Sequence, residues 1–408
     1  MMNRFLLCLI LVLQSTLLFP QTVINYTYSN SPLPDNQCRW ITIDSLGKKW
    51  FCTEYGLAVL DDTTWSVYTT SNSGISDNSI KHLAFDHQGV AWISTSNGGV
   101  CTFDGTNWTT YSLANSGISS NYVRSVHIDS NNNKWICTDA GLDFFDGSNW
   151  TIYDLLNSDI PVNNISTIQF ESDTSRWLGT INGGFSHMIN DSFYTYSGLN
   201  SGIPDNSIVG LVSDSNNFIW LACPGGALVR YYAGNFYSFN TTNSGIPTDA
   251  LTSIVIDTFQ NIYMGSFDKG LIKKSGNYFT WWNTANSPIP DDNVFCLAIE
   301  QPGVFWLGTN SHGVVRFDEN MWVNNESISM KYNTNVFPSP CTTALTIKSF
   351  QSLTEITIFD LAGKTIYTQN KNLAPHLFIL DTEFLSPGCY LIALKTFDGT
   401  TVQKFMKE

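Results

Sequence analysis

One aromatic position returns seven times along the chain, at Trp50, Trp92, Trp135, Trp177, Trp220, Tyr263 and Trp306, with spacings of 42, 43, 42, 43, 43 and 43 residues. Each aromatic opens a short apolar strand. Before it comes an apolar strand ending in a carboxylate and a tight turn, as in Phe85-Asp86-His87-Gln88-Gly89-Val90-Ala91-Trp92. Within this second copy, four segments alternate apolar and polar residues: Ile80 to Phe85, Ala91 to Thr95, Val100 to Phe103, and Trp108 to Tyr111. Asp, Asn and Gly at every junction make these strands joined by turns. Four short strands per repeat of this length is the pattern of β-propeller blades, each burying its faces on its neighbours. The expected fold is all-β: a seven-bladed β-propeller over 22–324, a linker over 325–334, and a small antiparallel β-sandwich over 335–408.

The repeat also assigns its polar residues. A carboxylate precedes the aromatic as Asp44, Asp86, Asp129, Asp214 and Asp257, with Glu171 and Glu300 in the other two copies. Seven carboxylates at one position resemble catalytic groups, but a side chain capping its own turn explains them without chemistry. A second phrase, Asn72-Ser73-Gly74-Ile75-Ser76-Asp77-Asn78, recurs at Asn30, Asn115, Asn157, Asn200, Asn243 and Asn286. It reads as the loop crossing from the outer edge of one blade to the inner edge of the next, with one Ile or Leu as a plug. Two segments compete to supply the outer strand of the last blade: Val23 to Tyr28, which is favoured, and Met321-Trp322-Val323. Closure by either removes the exposed sheet edges of an open ring.

Composition narrows the function classes. The net charge is -14. Residues 334–408 balance six Lys against six acidic residues, and the first twenty residues contribute only Arg4, so the middle holds 13 basic against 28 acidic residues. An acidic body repels phosphate backbones, so nucleic acid is not expected as a partner. Residues 1–21 read as a signal peptide, with Arg4 before the apolar run Phe5 to Leu13, and the mature chain is expected to begin near Gln21 or Thr22. No later run of 18 apolar residues follows, so no transmembrane segment is expected in the mature chain. Six of its cysteines (Cys38, Cys52, Cys101, Cys137, Cys223 and Cys296) fall within strands of different blades and read as small buried hydrophobes.

The segment Ile128-Asp129-Ser130-Asn131-Asn132-Asn133-Lys134-Trp135-Ile136-Cys137-Thr138-Asp139-Ala140-Gly141-Leu142 resembles the two-component-regulator propeller repeat. The copies at Trp177-Leu178-Gly179-Thr180 and Trp306-Leu307-Gly308-Thr309 match it closely. Members of that family often form the sensor part of membrane histidine kinases. The tail resembles the type A sorting domain of the type IX secretion system of Bacteroidetes, through Phe337-Pro338-Ser339-Pro340, Phe359-Asp360-Leu361-Ala362-Gly363-Lys364 and Leu385-Ser386-Pro387-Gly388-Cys389-Tyr390, with Lys404 and Lys407 near the end. Ser339 stands where that family usually has Asn. The resemblance implies recognition of the tail by the outer-membrane machinery, with Pro338, Pro340, Gly363, Gly388, Tyr390, Lys404 and Lys407 as motif residues, followed by release or attachment at the cell surface. Cys341 and Cys389 are the only cysteines of this domain, and a bridge between two strands is one reading of them.

Catalytic signatures are missing from the sequence: there is no Gly-x-Ser-x-Gly, His-Glu-x-x-His, phosphate loop or Cys-x-x-Cys. No cofactor and no metal are expected. His82, His87, His127, His187, His312 and His376 are scattered without ligand spacing and read as hydrogen-bonded fillers. In a four-stranded blade the loops between the second and third strands share a face with the crossing loops. Because the crossing loops are near copies, variety on that face sits at Glu54, Tyr55, Asn97, Asp139, Asn182, Pro224, Phe267, Asp268, Lys269, Ser311 and His312. Such variety on a rigid ring suits a binding site, with ordinary solvated loops as the competing reading. Three successive inner strands also carry Arg39, Lys81 and Arg124 where the later blades have Ser166, Val209, Thr252 and Phe295. That cationic arc suits a carboxylate or sulfate, unless each cation pairs with a nearby acid. The expected function is therefore a secreted or surface-displayed, non-enzymatic propeller that binds a glycan or a surface protein. The alternatives are a propeller-type lyase or hydrolase, favoured if His312 and Glu54 converge, and an extracellular sensor partner.

Overall fold

The computed structural model describes residues 23–319, 328–329, 335–349, 353–361, 363–373, 376–396 and 399–408. The export segment 1–21 and Met321-Trp322-Val323 lie outside them. Seven antiparallel sheets follow one another along the chain, and each blade begins with its inner strand: Cys38–Ile43, Ile80–Phe85, Val123–Ile128, Ile165–Phe170, Gly210–Ser213, Leu251–Ile256 and Val294–Gln301. These strands contact one another in a closed circuit, the seventh meeting the first. Blade seven takes its outer strand from the N-terminal end. Val23–Tyr26 pairs antiparallel with Val314–Asp318, in the register Val23 to Phe317 and Tyr26 to Val314. Within the stretch read as a linker, Ile328–Ser329 adds a fifth strand to blade six by pairing with Phe279 and Tyr278. Among the described residues no helix is long and apolar enough to cross a membrane.

The carboxylate before each Trp does more than close its turn. Asp86 Oδ1 accepts the Gln88 and Val90 N–H groups, while its Oδ2 accepts the indole N–H of Trp92 at 3.1 Å. Asp44, Asp129 and Asp214 hold Trp50, Trp135 and Trp220 in the same way at 2.9–3.0 Å. In the two blades with Glu the indole loses this acceptor. Trp177 Nε1 and Trp306 Nε1 are buried with no hydrogen-bond partner, because Glu171 turns to Ser175 and His187 and Glu300 to Arg316 and Lys49.

Neighbouring blades are stitched through the same Trp. The residue before it reaches back over the aromatic of the preceding blade: Lys134 lies 5.0 Å from the Trp92 ring, Arg176 3.8 Å from Trp135 and Lys49 5.9 Å from Trp306. These are cation–π distances between buried or nearly buried groups. The crossing loops add apolar plugs. Leu33, Ile75, Ile118, Ile160, Ile203, Ile246 and Ile289 are each at most 4% exposed, and each such burial contributes about 1.5–3 kcal/mol. The first Asn of each loop folds it onto itself, as where Asn72 Oδ1 accepts the Thr69 N–H and its amide donates to the Val67 carbonyl.

Residues 335–408 form two further sheets. One joins Asn335–Phe337, Ala344–Ser349 and His376–Asp381. The other runs in the order Thr365–Leu373, Leu353–Asp360, Gly388–Thr396, Gly399–Lys407. Leu345, Ile347, Ile356, Ile358, Ile392, Leu394 and Phe405 fill the space between them. The six cysteines of the blades are buried thiols, and burial pushes Cys137 up to about 12. The bridge between Cys341 and Cys389 is not formed, and both are free thiols. The register explains this. Cys389 lies opposite Met406, which is 45% exposed, whereas Cys341 is wholly buried in the sandwich core beside Thr382.

Candidate ligand-binding site at the channel mouth

Six of the seven inner strands carry a bulge at one place, where the pairing register jumps from Cys38 to Trp40, Ile80 to His82, Val123 to Ser125, Ile165 to Thr167, Leu251 to Ser253 and Val294 to Cys296. The extra residues are Arg39, Lys81, Arg124, Ser166, Thr252 and Phe295, with Val209 just ahead of the inner strand of blade five. A bulge re-aims a side chain that regular alternation would send into the sheet face. Here all seven side chains are half-buried and line one axial cavity of about 200 Å³.

The cationic arc is thus brought together, but two of its members are paired. Glu54 Oε1 accepts from Arg39 Nε and, at 3.1 Å, from Lys81 Nζ, and Glu54 Oε2 accepts from Ser79 Oγ at 2.5 Å. Burial works to raise the Glu54 pKa. The Ser79 and Lys81 hydrogen bonds and the charges of Lys81 and Arg39 outweigh it and hold the carboxyl below its usual range. Arg39 also donates to Gln37 Oε1 at 3.1 Å. Arg124 differs: its Nε donates to the neutral Asn164 Oδ1 at 2.5 Å, and its guanidinium lies 5.1 Å from the Tyr122 ring.

Outside the axial cavity, Asp35, Gln37, Arg39, Glu54, Tyr55 and Asn310 line an open recess of about 620 Å³ at the rim, with Arg39 bordering both. Below, the rings of Trp40, His82 and His127 follow one another, tilted by 35° and 40°, with centroids 4.2 and 5.2 Å apart. Burial pushes both imidazoles down, that of His127 to about 4 and that of His82 well below its ordinary value with help from His127, so both are neutral at pH 7. Trp40 and His82 also border a wider, mostly apolar cavity of about 830 Å³ that opens among the turns of the opposite face.

The structure separates the remaining expected residues from this mouth. Asp139, Asn182, Asp268, Lys269 and His312 line neither cavity. Asn182 exchanges hydrogen bonds with Ser207, and His312 Nδ1 lies 3.2 Å from Asp291 Oδ2. His312 and Glu54 therefore have separate partners. Gln37, Ser79, Asn164 and Asn310 were not singled out from sequence. A spacing search from Arg39, Lys81 and Arg124 would not reach them, because Gln37, Ser79 and Asn164 enter from crossing loops and Asn310 from the loop between the second and third strands of blade seven. Among the described residues no group of His, Cys, Asp and Glu is placed to hold a metal ion.

In the C-terminal domain, Pro338, Pro340, Gly363, Gly388 and Lys404 are exposed, Tyr390 stacks on Phe405, and Lys407 is buried against the start of the domain beside Cys341. Residues 335–408 match the family described as Secretion system C-terminal sorting domain. This segment is a sorting domain. It marks the chain for type IX secretion to the cell surface, as the motif residues implied.

The chain as a whole is similar in fold to three kinds of solved structure. The first is the extracellular domain of a candidate hybrid two component system, BT3049 of B. thetaiotaomicron, at TM-score 0.63 and 19% identity, covering 95% of this chain and 54% of that one. The second is PorZ, described as an essential surface component of the type-IX secretion system of Porphyromonas gingivalis, at TM-score 0.56 and 14% identity, covering 92% and 60%. The third is virginiamycin B lyase of Staphylococcus aureus, at TM-score 0.57 and 15% identity, covering 72% and 98%. The chain, sorting domain included, spans a little over half the length of the first two. At these identities the likeness is one of fold. No curated protein matches the chain in sequence.

Proposed function

We propose that this is a surface-displayed propeller that acts by binding, without catalysis, and that its ligand meets the face where the axial cavity opens. The observation that carries the reading is the convergence of side chains from all seven blades on one cavity, which shares Arg39 with the recess beside Tyr55. Tyr55 is 66% exposed at that rim, an aromatic with one apolar face available for contact. The polar groups beneath it are fixed by Glu54 and Ser79 rather than free to move, which lowers the ordering cost of binding. The enzyme alternative has less support: its proposed acid–base pair, His312 and Glu54, is divided between Asp291 on one side and Arg39, Lys81 and Ser79 on the other.

The test is retention of the full chain on an array of bacterial glycans and surface proteins. Tyr55→Ala combined with Asn310→Ala should fold normally and lose retention. Loss of retention on combined replacement of Asp139, Asp268 and Lys269 by Ala, with the Tyr55 and Asn310 variant unaffected, would move the site away from the mouth.

A further inference from the structure

The three cations of the axial cavity are not equivalent. Arg39 and Lys81 share the Glu54 carboxylate. Arg124 spends only its Nε, on a neutral amide, and among the described residues no carboxylate lies within 4 Å of it. We propose that the cavity takes one oxyanion group of the ligand, a carboxylate or a sulfate, on the two terminal nitrogens of Arg124. The proposal rests on the mouth being the ligand site.

Three features select this chemistry. A guanidinium presents its terminal donors as a planar fork that matches a carboxylate or sulfate edge. Three hydroxyls on the lining are committed as donors, Ser125 Oγ to the Ser166 carbonyl, Ser166 Oγ to the Ile208 carbonyl and Thr252 Oγ1 to the Val294 carbonyl. Ser253 Oγ on the same lining is buried without a partner and is a further donor, so the charge of an anion there falls to the cations. A chain of net charge -14 has no general attraction for anions, which makes an acid-free Arg on its axis a local exception. The volume of about 200 Å³ holds one such group and leaves the rest of the ligand at the rim beside Tyr55. Glu54 then sets the affinity from the entrance, since its charge offsets those of Arg39 and Lys81.

The probes are sodium sulfate and sodium glucuronate, titrated calorimetrically into the full chain at an ionic strength held constant with chloride, with glucose as the neutral arm. At least one anion should bind saturably with one-to-one stoichiometry, and glucose should give no heat. Arg124→Gln should weaken anion binding roughly tenfold or more, the loss expected for a hydrogen-bonded charge. Arg124→Lys, which keeps the charge and loses the fork, should fall between. Glu54→Gln should tighten binding severalfold, and Lys48→Gln, on a turn at the other end of the blades, should change nothing. The proposal is overturned if neither anion binds saturably, if Arg124→Gln binds as the parent does, or if Lys48→Gln weakens binding equally. The mouth reading fails separately. If Arg124→Gln keeps array retention that Tyr55→Ala with Asn310→Ala loses, the oxyanion proposal falls and the mouth site stands.

Discussion

The indole nitrogen of Trp92 donates to the carboxylate of Asp86 at 3.1 Å, and Lys134 from the next blade lies 3.4 Å from that same oxygen. One buried carboxylate therefore closes a turn, anchors the aromatic that defines the repeat and ties two blades together. Asp86→Ala leaves the Trp92 N–H without an acceptor and the buried Lys134 ammonium with no counter-charge, held by the Asn132 carbonyl at 2.7 Å. It should lower stability by about 3–5 kcal/mol, the range for breaking a buried ion pair. Urea denaturation of the full chain measures it, and a loss under 1 kcal/mol would show that the carboxylate does no more than shape its turn.

The period made this position visible in the sequence, but only half of its role. Asp44, Asp86, Asp129, Asp214 and Asp257 were readable as turn caps because that contact spans four residues. The indole contact, six residues away across the turn, was not. Blade number, ring closure through Val23–Tyr26 and the arc of Arg39, Lys81 and Arg124 followed from equivalence between copies. The pairing of Glu54 with Lys81 did not, since it crosses from one blade to the inner strand of the next. The bulges that aim the arc residues inward leave no mark in the alternation pattern. Asp139, Asn182, Asp268, Lys269 and His312 share a face with the mouth but line neither of its cavities, a distinction that needs radial position as well as topology.

The neutral histidine pair predicts a pH dependence. The folded pKa of His127 is about 4 against an ordinary 6.5, so between those values the unfolded chain binds more protons than the folded one. Stability should be complete above pH 6.5 and fall as the pH drops toward 4, by up to roughly 3 kcal/mol from this residue. His127→Gln should flatten that part of the profile. Identical denaturation profiles for parent and variant from pH 7 to 4.5 would rule out the buried neutral imidazole.

Closure of the ring depends on a close approach. Gly313 has φ of +78°, and a Cβ added there would lie 2.0 Å from the Tyr26 carbonyl oxygen. Gly313→Ala should therefore strain the chain and unseat the outer strand of blade seven, at a cost of about 1–3 kcal/mol. Limited proteolysis of the variant should cut first between residues 23 and 37. A cleavage pattern unchanged from the parent would mean that the strand holds blade seven without this contact.

The sorting domain should be required for passage across the outer membrane and dispensable for the propeller. A chain lacking residues 335–408, expressed in a bacterium with a type IX system, should accumulate folded in the periplasm. Its appearance at the cell surface in normal amount would deny the sorting domain its role.

Only a single closed ring gives the six bulge residues and Val209 a common axis. Hydrogen–deuterium exchange of the full chain tests this most directly. If Val23–Tyr26 completes blade seven, that segment should exchange as slowly as its partner Val314–Asp318. Exchange of residues 23–26 at the rate of an unpaired chain, beside a protected Val314–Asp318, would leave blade seven without its outer strand and contradict closure of the ring through the N-terminal segment.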